Sequence, residues 1–215
     1  MGLNVRGKIM RKTFYIIDDH EMLRVGTRAW IMTHSSWVCV GDSGTHEQAF
    51  SDFEIMDKEI NLPAILICDL NFYGENTGFE FMQRIHELYP DVKIIVYSMF
   101  FAAGMVQTAM DCGANGYVSK NASSEELLEC MEKIYAGDDF IQEELQTKLI
   151  KYSKITDALT RREKKVMDLL LQRYSNDEIA AQLNIKKRAV ENYISIIYEK
   201  TGVNDRAELI LKYGQ

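Results

Sequence analysis

The sequence predicts an α/β protein: a five-stranded, doubly wound parallel sheet, followed by a small all-α unit of four helices. Three observations carry this. Between residues 13 and 137, five short apolar runs alternate with five helical patterns. The runs are continuously apolar, as in strands buried on both faces. From residue 159 onward no strand-like run remains, and four helical patterns fill about 57 residues.

The strand-like runs are residues 14–17, 38–40, 65–68, 94–97 and 117–118. The helical patterns between and after them are 21–32, 47–58, 79–89, 102–112 and 124–136. Thr45 with Gln48, and Ser123 with Glu126, have capping-box spacing at helix starts. Pro63 and Pro90 each fall just ahead of a strand, where they interrupt no ladder. Strands and helices in alternation imply a sheet covered on both faces, with sites at the carboxyl ends of the strands. Residues 138–158 read as a linker, within which 142–154 is a candidate helix. Thr160 and Glu163 then open a helix carrying Val166, Leu169 and Leu170 at helical spacing. Ser175 and Glu178 open a short second helix ending near Leu183 and Asn184, a third spans 187–200 and stops at Gly202, and a fourth spans about 205–213. The domains expected are therefore a basic extension over 1–12, the sheet domain over 13–137, the linker, and the helical domain over 159–215.

Composition fits this division. The chain has 215 residues, 47% of them hydrophobic and 27% charged, enough for two ordinary cores. The net charge of −7 is unevenly spread. Residues 1–12 hold four basic and no acidic groups; residues 13–155 hold 10 basic and 23 acidic; residues 156–215 hold 11 basic and 9 acidic. An acidic body and a mildly basic tail suggest different partners. No apolar run approaches the roughly 20 residues of a membrane span. The basic start MGLNVRGKIMRK is followed by no apolar core, so no secretory signal is expected, and Arg6 stands where a myristoylation pattern needs Ser or Thr. The expected location is the cytoplasm. The four cysteines lack CxxC spacing and read as reduced core thiols, and the four histidines read as surface or helix-face residues.

One stretch asks for an explanation. In FYIIDDHEML an apolar run stops at two adjacent carboxylates, Asp18 and Asp19. Like charges this close repel, and a cation relieves them. The third run ends at Asp69, the fourth at Ser98 and the fifth leads to Lys120. In a parallel sheet all of these emerge on one edge. Each alone is an ordinary turn or surface residue; together, in the order DD, D, S, K, they make a site for a hard divalent cation and a phosphoryl group. Mg²⁺ typically takes one or two carboxylates, waters and phosphate oxygens. Asp69 is the natural nucleophile for a covalent aspartyl-phosphate, with Lys120 and Ser98 placed to meet the phosphoryl oxygens.

On these residues, the segment 13–137 resembles the receiver domain of two-component response regulators, a flavodoxin-like fold. The resemblance implies that Asp69 accepts a phosphoryl group from a sensor histidine kinase. It implies that Asp19 and Asp69, with Asp18 mainly through water and the backbone carbonyl of Asn71, hold Mg²⁺. It makes Ser98 and Tyr117 the conformational switch. The loop LNFYGENTG departs from the family pattern: the usual proline is missing and Gly78 lies one residue further on than is common. Met99-Phe100-Phe101 is bulkier than usual, and Asn121 follows Lys120 where many receivers have proline. An alternative is thus a receiver that serves only for dimerisation, independent of phosphorylation. An aspartyl-phosphate phosphohydrolase is disfavoured, because Asn71 stands where such enzymes carry a second Asp and no cap insertion is visible. The chain is read as a phosphoacceptor rather than a metabolic enzyme.

In the third helix of the tail, Val190, Tyr193, Ile194, Ile197 and Tyr198 form a core stripe, and Arg188, Glu191, Asn192, Ser195 and Glu199 the other face. Lys186, Lys187 and Arg188 crowd its N-terminus, where positive charge opposes the helix dipole, so an anion such as DNA phosphate is expected to compensate. The segment 159–210 resembles the LuxR-type helix-turn-helix of the NarL/FixJ subfamily, through Leu159-Thr160, Arg162-Glu163, Val166, SNDEIAAQL, Val190, Lys200, Gly202-Val203 and Arg206-Ala207-Glu208-Leu209. Ala189, Tyr193 and Glu191 depart from the usual Thr, His and basic residue. Glu191 suits cytosine N4 and repels phosphate. The implied protein regulates transcription as a homodimer on promoter DNA. Its DNA contacts come from Lys186, Lys187, Arg188, Glu191, Asn192, Ser195 and Lys200.

Overall fold

The computed structural model describes residues 11–72, 78–99 and 102–213. Most of the basic extension, the centre of the loop after Asp69, and Phe100 and Phe101 lie outside the described residues. The chain divides into two compact units, one of residues 1–100 and 108–142, the other of residues 101–107 and 143–215.

The first unit is built on a parallel sheet of six strands: β1 (Thr13–Ile17), β2 (Val38–Ser43), β3 (Ile65–Cys68), β4 (Lys93–Ser98), β5 (Gly116–Ser119) and β6 (Phe140–Ile141). Their order is β2-β1-β3-β4-β5-β6. The helices up to the end of this sheet domain are α1 (Glu21–His34), α2 (His46–Lys58), α3 (Gly78–Leu88), α4 (Ala103–Asp111) and α5 (Ser124–Ala136), of which α4 is divided between the two units at residue 107. The order reverses between β1 and β3, which opens a crevice at their carboxyl ends.

The all-apolar strands are explained by a core on each face. On one side Phe14, Ile16, Ile65, Ile67, Ile95 and Val118 pack with Ile31 of α1 and with Leu127, Cys130, Met131 and Ile134 of α5. The alternate residues point to the other side. There the Tyr15 ring meets Phe53 of α2 edge-on at 5.3 Å, and its hydroxyl donates to Asp52 at 2.6 Å. Trp37, fully buried ahead of β2, donates from its indole to Glu132 of α5 at 2.9 Å, and Lys12 reaches the same carboxylate at 2.6 Å. Ser123 and Glu126 cap each other reciprocally at the start of α5. At α2 only half of the expected box forms: Thr45 accepts from the Gln48 amide, while the Gln48 side chain turns to Asp52.

The sheet has six strands, one more than the alternation predicts. Gly137 ends α5 with φ of 105°, in the left-handed region, and directs the chain back along the open edge of β5. Phe140 and Ile141 pair there with Gly116 and Tyr117, and the Gln142 side chain extends the ladder by accepting from Ser119 N at 3.1 Å. Two residues carry no periodicity, so nothing local announces this strand.

The second unit holds α6 (Glu143–Thr156), α7 (Arg161–Leu171), α8 (Asn176–Gln182), α9 (Lys187–Thr201) and α10 (Arg206–Tyr213). Its core joins Val166, Met167 and Leu170 of α7 to Ile179, Val190, Ile194, Ile197 and Leu209. Tyr152 of α6 is buried in the same core and donates to Asp168 of α7 at 2.9 Å. The helix inside the expected linker is therefore a packed part of this unit. Both capping boxes form, Thr160 with Glu163 and Ser175 with Glu178.

Glu163 is buried and does two jobs: it accepts the Thr160 amide at 2.7 Å and pairs with Lys200 at 2.7 Å. The Lys200 hydrogen bond, then the cap, hold its carboxyl below the usual glutamate range. A carboxyl depressed on folding stabilises above its unfolded pKa, and that contribution is lost as pH falls through the folded value. Thermal unfolding between about pH 6 and 3 should show the second unit weakening with acid, and Glu163→Gln should flatten that dependence.

Candidate functional site

The site is assembled by backbone bonds that continue the ladders past the strand ends. Asp69 N donates to Ile17 O at 3.0 Å, Asp18 N to Ser43 O at 3.2 Å, and Lys120 N to Ser98 O at 2.9 Å. Consecutive chain exits from β1, β3, β4 and β5 thus stand side by side. Across the crevice the Lys120 ammonium lies 2.6 Å from both Asp18 Oδ2 and Asp69 Oδ2. The side chains are only 6%, 3% and 4% exposed respectively, so these charges interact with little screening. Burial pulls the Lys120 pKa down, but the hydrogen bonds it donates to Asp18 and Asp69 outweigh it and the net shift is upward. The lysine is therefore charged at neutral pH.

The second oxygens of Asp69 and Asp18 each accept a backbone amide. Asp69 Oδ1 accepts from Leu70 N at 2.7 Å. Asp18 Oδ1 accepts from the His20 amide at 2.8 Å, and His20 Nδ1 lies 2.8 Å from Asp19 Oδ1. One ligand atom from each of Asp18, Asp19, His20 and Asp69 falls within 4.8 Å of the others. This set of clustered hard oxygens fits a divalent cation such as Mg²⁺. Asn71 is half-buried, and its Oδ1 has no hydrogen-bond partner among the described residues. Gly78 opens α3 directly against this loop: a Cβ there would lie 2.5 Å from Leu70 Cα and 2.6 Å from Asp69 O. Only glycine lets α3 approach so closely.

In the second unit, α8 and α9 are joined by a tight turn in which Asn184 has φ of 50°. The core stripe of α9 is buried through Val190, Ile194, Ile197 and Thr201. Lys186, Lys187, Arg188, Glu191, Asn192 and Ser195 are all exposed on the opposite side. Lys186 occupies the N-cap of α9 with no side-chain cap, which leaves amides at that helix end for an outside acceptor. Lys187 is paired with Asp177 of α8 at 2.8 Å. Lys200 lies at the far end of α9, tied to Glu163 and thus separated from the basic cluster.

Residues 14–132, more than half of the chain, match the response regulator receiver domain family. The chain is a response regulator. Its residues 157–213 match the LuxR family of bacterial regulatory proteins, so it is a transcription regulator with a LuxR-type output domain. Curated relatives include the response regulator protein VraR of Staphylococcus epidermidis and of Staphylococcus aureus. Each is 26% identical over 199 residues, covering 91% of this chain and 92% of the relative. Among solved structures, RcsB from Salmonella enterica serovar Typhimurium, bound to promoter rprA with the phosphomimetic BeF3−, aligns with a TM-score of 0.65 at 21% identity. That alignment covers 94% of this chain and 98% of the other. A structure of two RcsB dimers bound to two parallel DNAs aligns with a TM-score of 0.69 at 22% identity, over 94% and 97% of the chains. At these identities the structures speak for the fold.

In this response regulator Ser98 ends β4 fully buried beside Ser119, its register partner. Tyr117 is fully buried in β5, and burial, with a smaller push from the Asp69 carboxylate, raises its pKa. The field of Asp69 thus reaches the Tyr117 hydroxyl. Met99 is exposed next to the site.

Three residues in and around the site escape a reading of the sequence. His20 is at the acidic edge rather than on a plain helix face, because it occupies the N-cap position of α1 immediately after Asp19. Arg24 donates to the Asp18 backbone oxygen at 2.6 Å and to Asp42 at 3.0 Å, while Arg28 holds the other Asp42 oxygen at 2.6 Å. The Arg24 and Arg28 spacing of one helical turn, facing the acidic end of β2, is the signal that could have found them. His46 also leaves the surface, stacking on Phe81 at 4.7 Å, and burial lowers its pKa.

Proposed function

We propose that Asp69 accepts a phosphoryl group from a sensor histidine kinase, and that this event controls dimerisation and promoter binding by α9. The observation that carries the reading is the Lys120 ammonium bridging Asp69 and Asp18 at 2.6 Å beside a third carboxylate. A carboxylate oxygen of Asp69 forms the new P–O bond. The P–N bond to the kinase histidine breaks, and its electron pair stays on the imidazole nitrogen. Asp18, Asp19, Asp69 and Asn71 would hold Mg²⁺, which offsets charge on the phosphoryl oxygens when bound. Lys120 and Ser98 meet the phosphoryl oxygens, and Tyr117 follows Ser98. The shift in population requires that the phosphoryl group favour one receiver state over the other. Protein chemistry stops at the aspartyl-phosphate; no metabolic substrate is implied. Among the described residues no helix is long and apolar enough to cross a membrane, in keeping with work in the cytoplasm.

Titration with beryllofluoride and Mg²⁺ tests this directly. Amide resonances of Ser98 and Tyr117 should move, and sedimentation should show a growing dimer fraction. A silent pocket would instead favour a receiver that pairs without phosphorylation.

Promoter DNA meets α9 through Lys186, Lys187, Arg188, Glu191, Asn192 and Ser195, with Lys200 at the distal end. Lys187→Ala combined with Arg188→Ala should weaken promoter binding and reduce the salt slope by up to about 1.8, at roughly 0.9 per phosphate contact. Part of the Lys187 share offsets the loss of Asp177, so the measured drop should be smaller than two free cations imply. Footprints at physiological salt that match the unaltered chain would remove α9 from the interface.

A further inference from the structure

We propose that His20 is a ligand of the metal in this pocket, and that it extends the pocket's preference from Mg²⁺ toward imidazole-seeking first-row transition ions. The inference rests on the acidic edge being the metal pocket proposed above and adds one residue to it. His20 occupies the N-cap of α1 in extended conformation, and its own amide is fixed to Asp18 Oδ1 at 2.8 Å. That anchor turns the imidazole toward the carboxylates: Nδ1 stands 2.8 Å from Asp19 Oδ1 and 3.2 Å from Asp18 Oδ1.

These separations are those of neighbouring ligands. An octahedral ion with bonds of about 2.1 Å sets adjacent ligand atoms about 3.0 Å apart and opposite ones about 4.2 Å apart. The two imidazole distances bracket the first value, and the four residues' ligand atoms lie within 4.8 Å of one another, slightly wider than the second, so the group has to contract a little around an ion. The polar partners are also divided between two sides. Lys120 takes Oδ2 of Asp18 and of Asp69, whereas His20 faces Oδ1 of Asp18 and of Asp19. An ion on the imidazole side would therefore leave Lys120 in place for a phosphoryl group. The imidazole is 71% exposed, so no packing opposes the small rotation that ligation needs. Mg²⁺ draws little from a nitrogen donor, while imidazole suits ions such as Fe²⁺, Ni²⁺ and Zn²⁺.

Calorimetric titration of the full chain with Mg²⁺ and with Co²⁺ separates the possibilities, using the unaltered protein, His20→Asn and Asp19→Asn. His20→Asn is expected to weaken Co²⁺ binding at least about tenfold, the lower bound for groups that merely support a ligand, and to leave Mg²⁺ within about threefold. The Co²⁺-loaded chain should show a hyperfine-shifted imidazole proton that His20→Asn removes, a signature that a hydrogen bond alone does not produce. If His20→Asn leaves the Co²⁺ to Mg²⁺ ratio unchanged while Asp19→Asn abolishes both, His20 is no ligand and the metal pocket stands. If neither ion binds, or Asp19→Asn changes nothing, the pocket and the imidazole fall together.

Discussion

Asp69→Asn should reduce labelling by acetyl phosphate with Mg²⁺ to background and uncouple DNA binding from phosphorylation. The substitution is nearly isosteric. Its amide oxygen retains the bond from Leu70 N at 2.7 Å, and Lys120 keeps its second partner, Asp18, at 2.6 Å. What disappears is the anionic oxygen that attacks phosphorus. The fold should survive, because a charge-assisted hydrogen bond worth about 1.5–3 kcal/mol is lost while repulsion among clustered carboxylates is relieved. Circular dichroism would verify the fold and mass spectrometry the label. Labelling at undiminished stoichiometry would move the phosphoacceptor elsewhere.

Removing the cation at the same site should have the larger effect on stability. In Lys120→Met the methylene stem is conserved, but Asp18 and Asp69 are left buried without their counter-charge. Breaking one side of a buried pair costs about 3–5 kcal/mol, chiefly because the surviving charges stay desolvated. Denaturant unfolding of the first unit should register a loss of this size at neutral pH. Added Mg²⁺ should recover part of it, since a divalent ion supplies the missing positive charge. A loss below about 1 kcal/mol, the scale of an exposed pair, would mean that the triad is solvated. The upward shift of the Lys120 pKa fixes the alkaline behaviour. Its stabilisation is fully present below the ordinary lysine value of about 10.4 and is lost as pH rises through the folded value.

Much of this arrangement was legible in the residues themselves. Continuous apolar runs such as ILIC announce strands buried on both faces, because only such strands tolerate no polar side. Parallel pairing then sends Asp18, Asp19, Asp69, Ser98 and Lys120 to one edge without any further information. Helix ends were equally clear where the cap lies within four residues, as at Ser123, Thr160 and Ser175. Local chemistry and periodicity settle these features, and both are written along the chain.

Interactions between distant segments were not legible. The β6 strand exists because Gly137 returns the chain to an open edge of β5, and Glu163 finds Lys200 because α7 and α9 cross in one core. The packing of α6 through Tyr152, the clamp of Arg24 on Asp18, and the tie from Trp37 to Glu132 are of the same kind. The sequence by itself determined five of the six strands, the helical tail and the identity of the acidic edge, since each follows from short-range pattern. Tertiary structure alone decided how Lys120 divides its charge between two aspartates and that His20 faces them. Those depend on distances of a few ångströms set by the whole packed core, which no local pattern encodes.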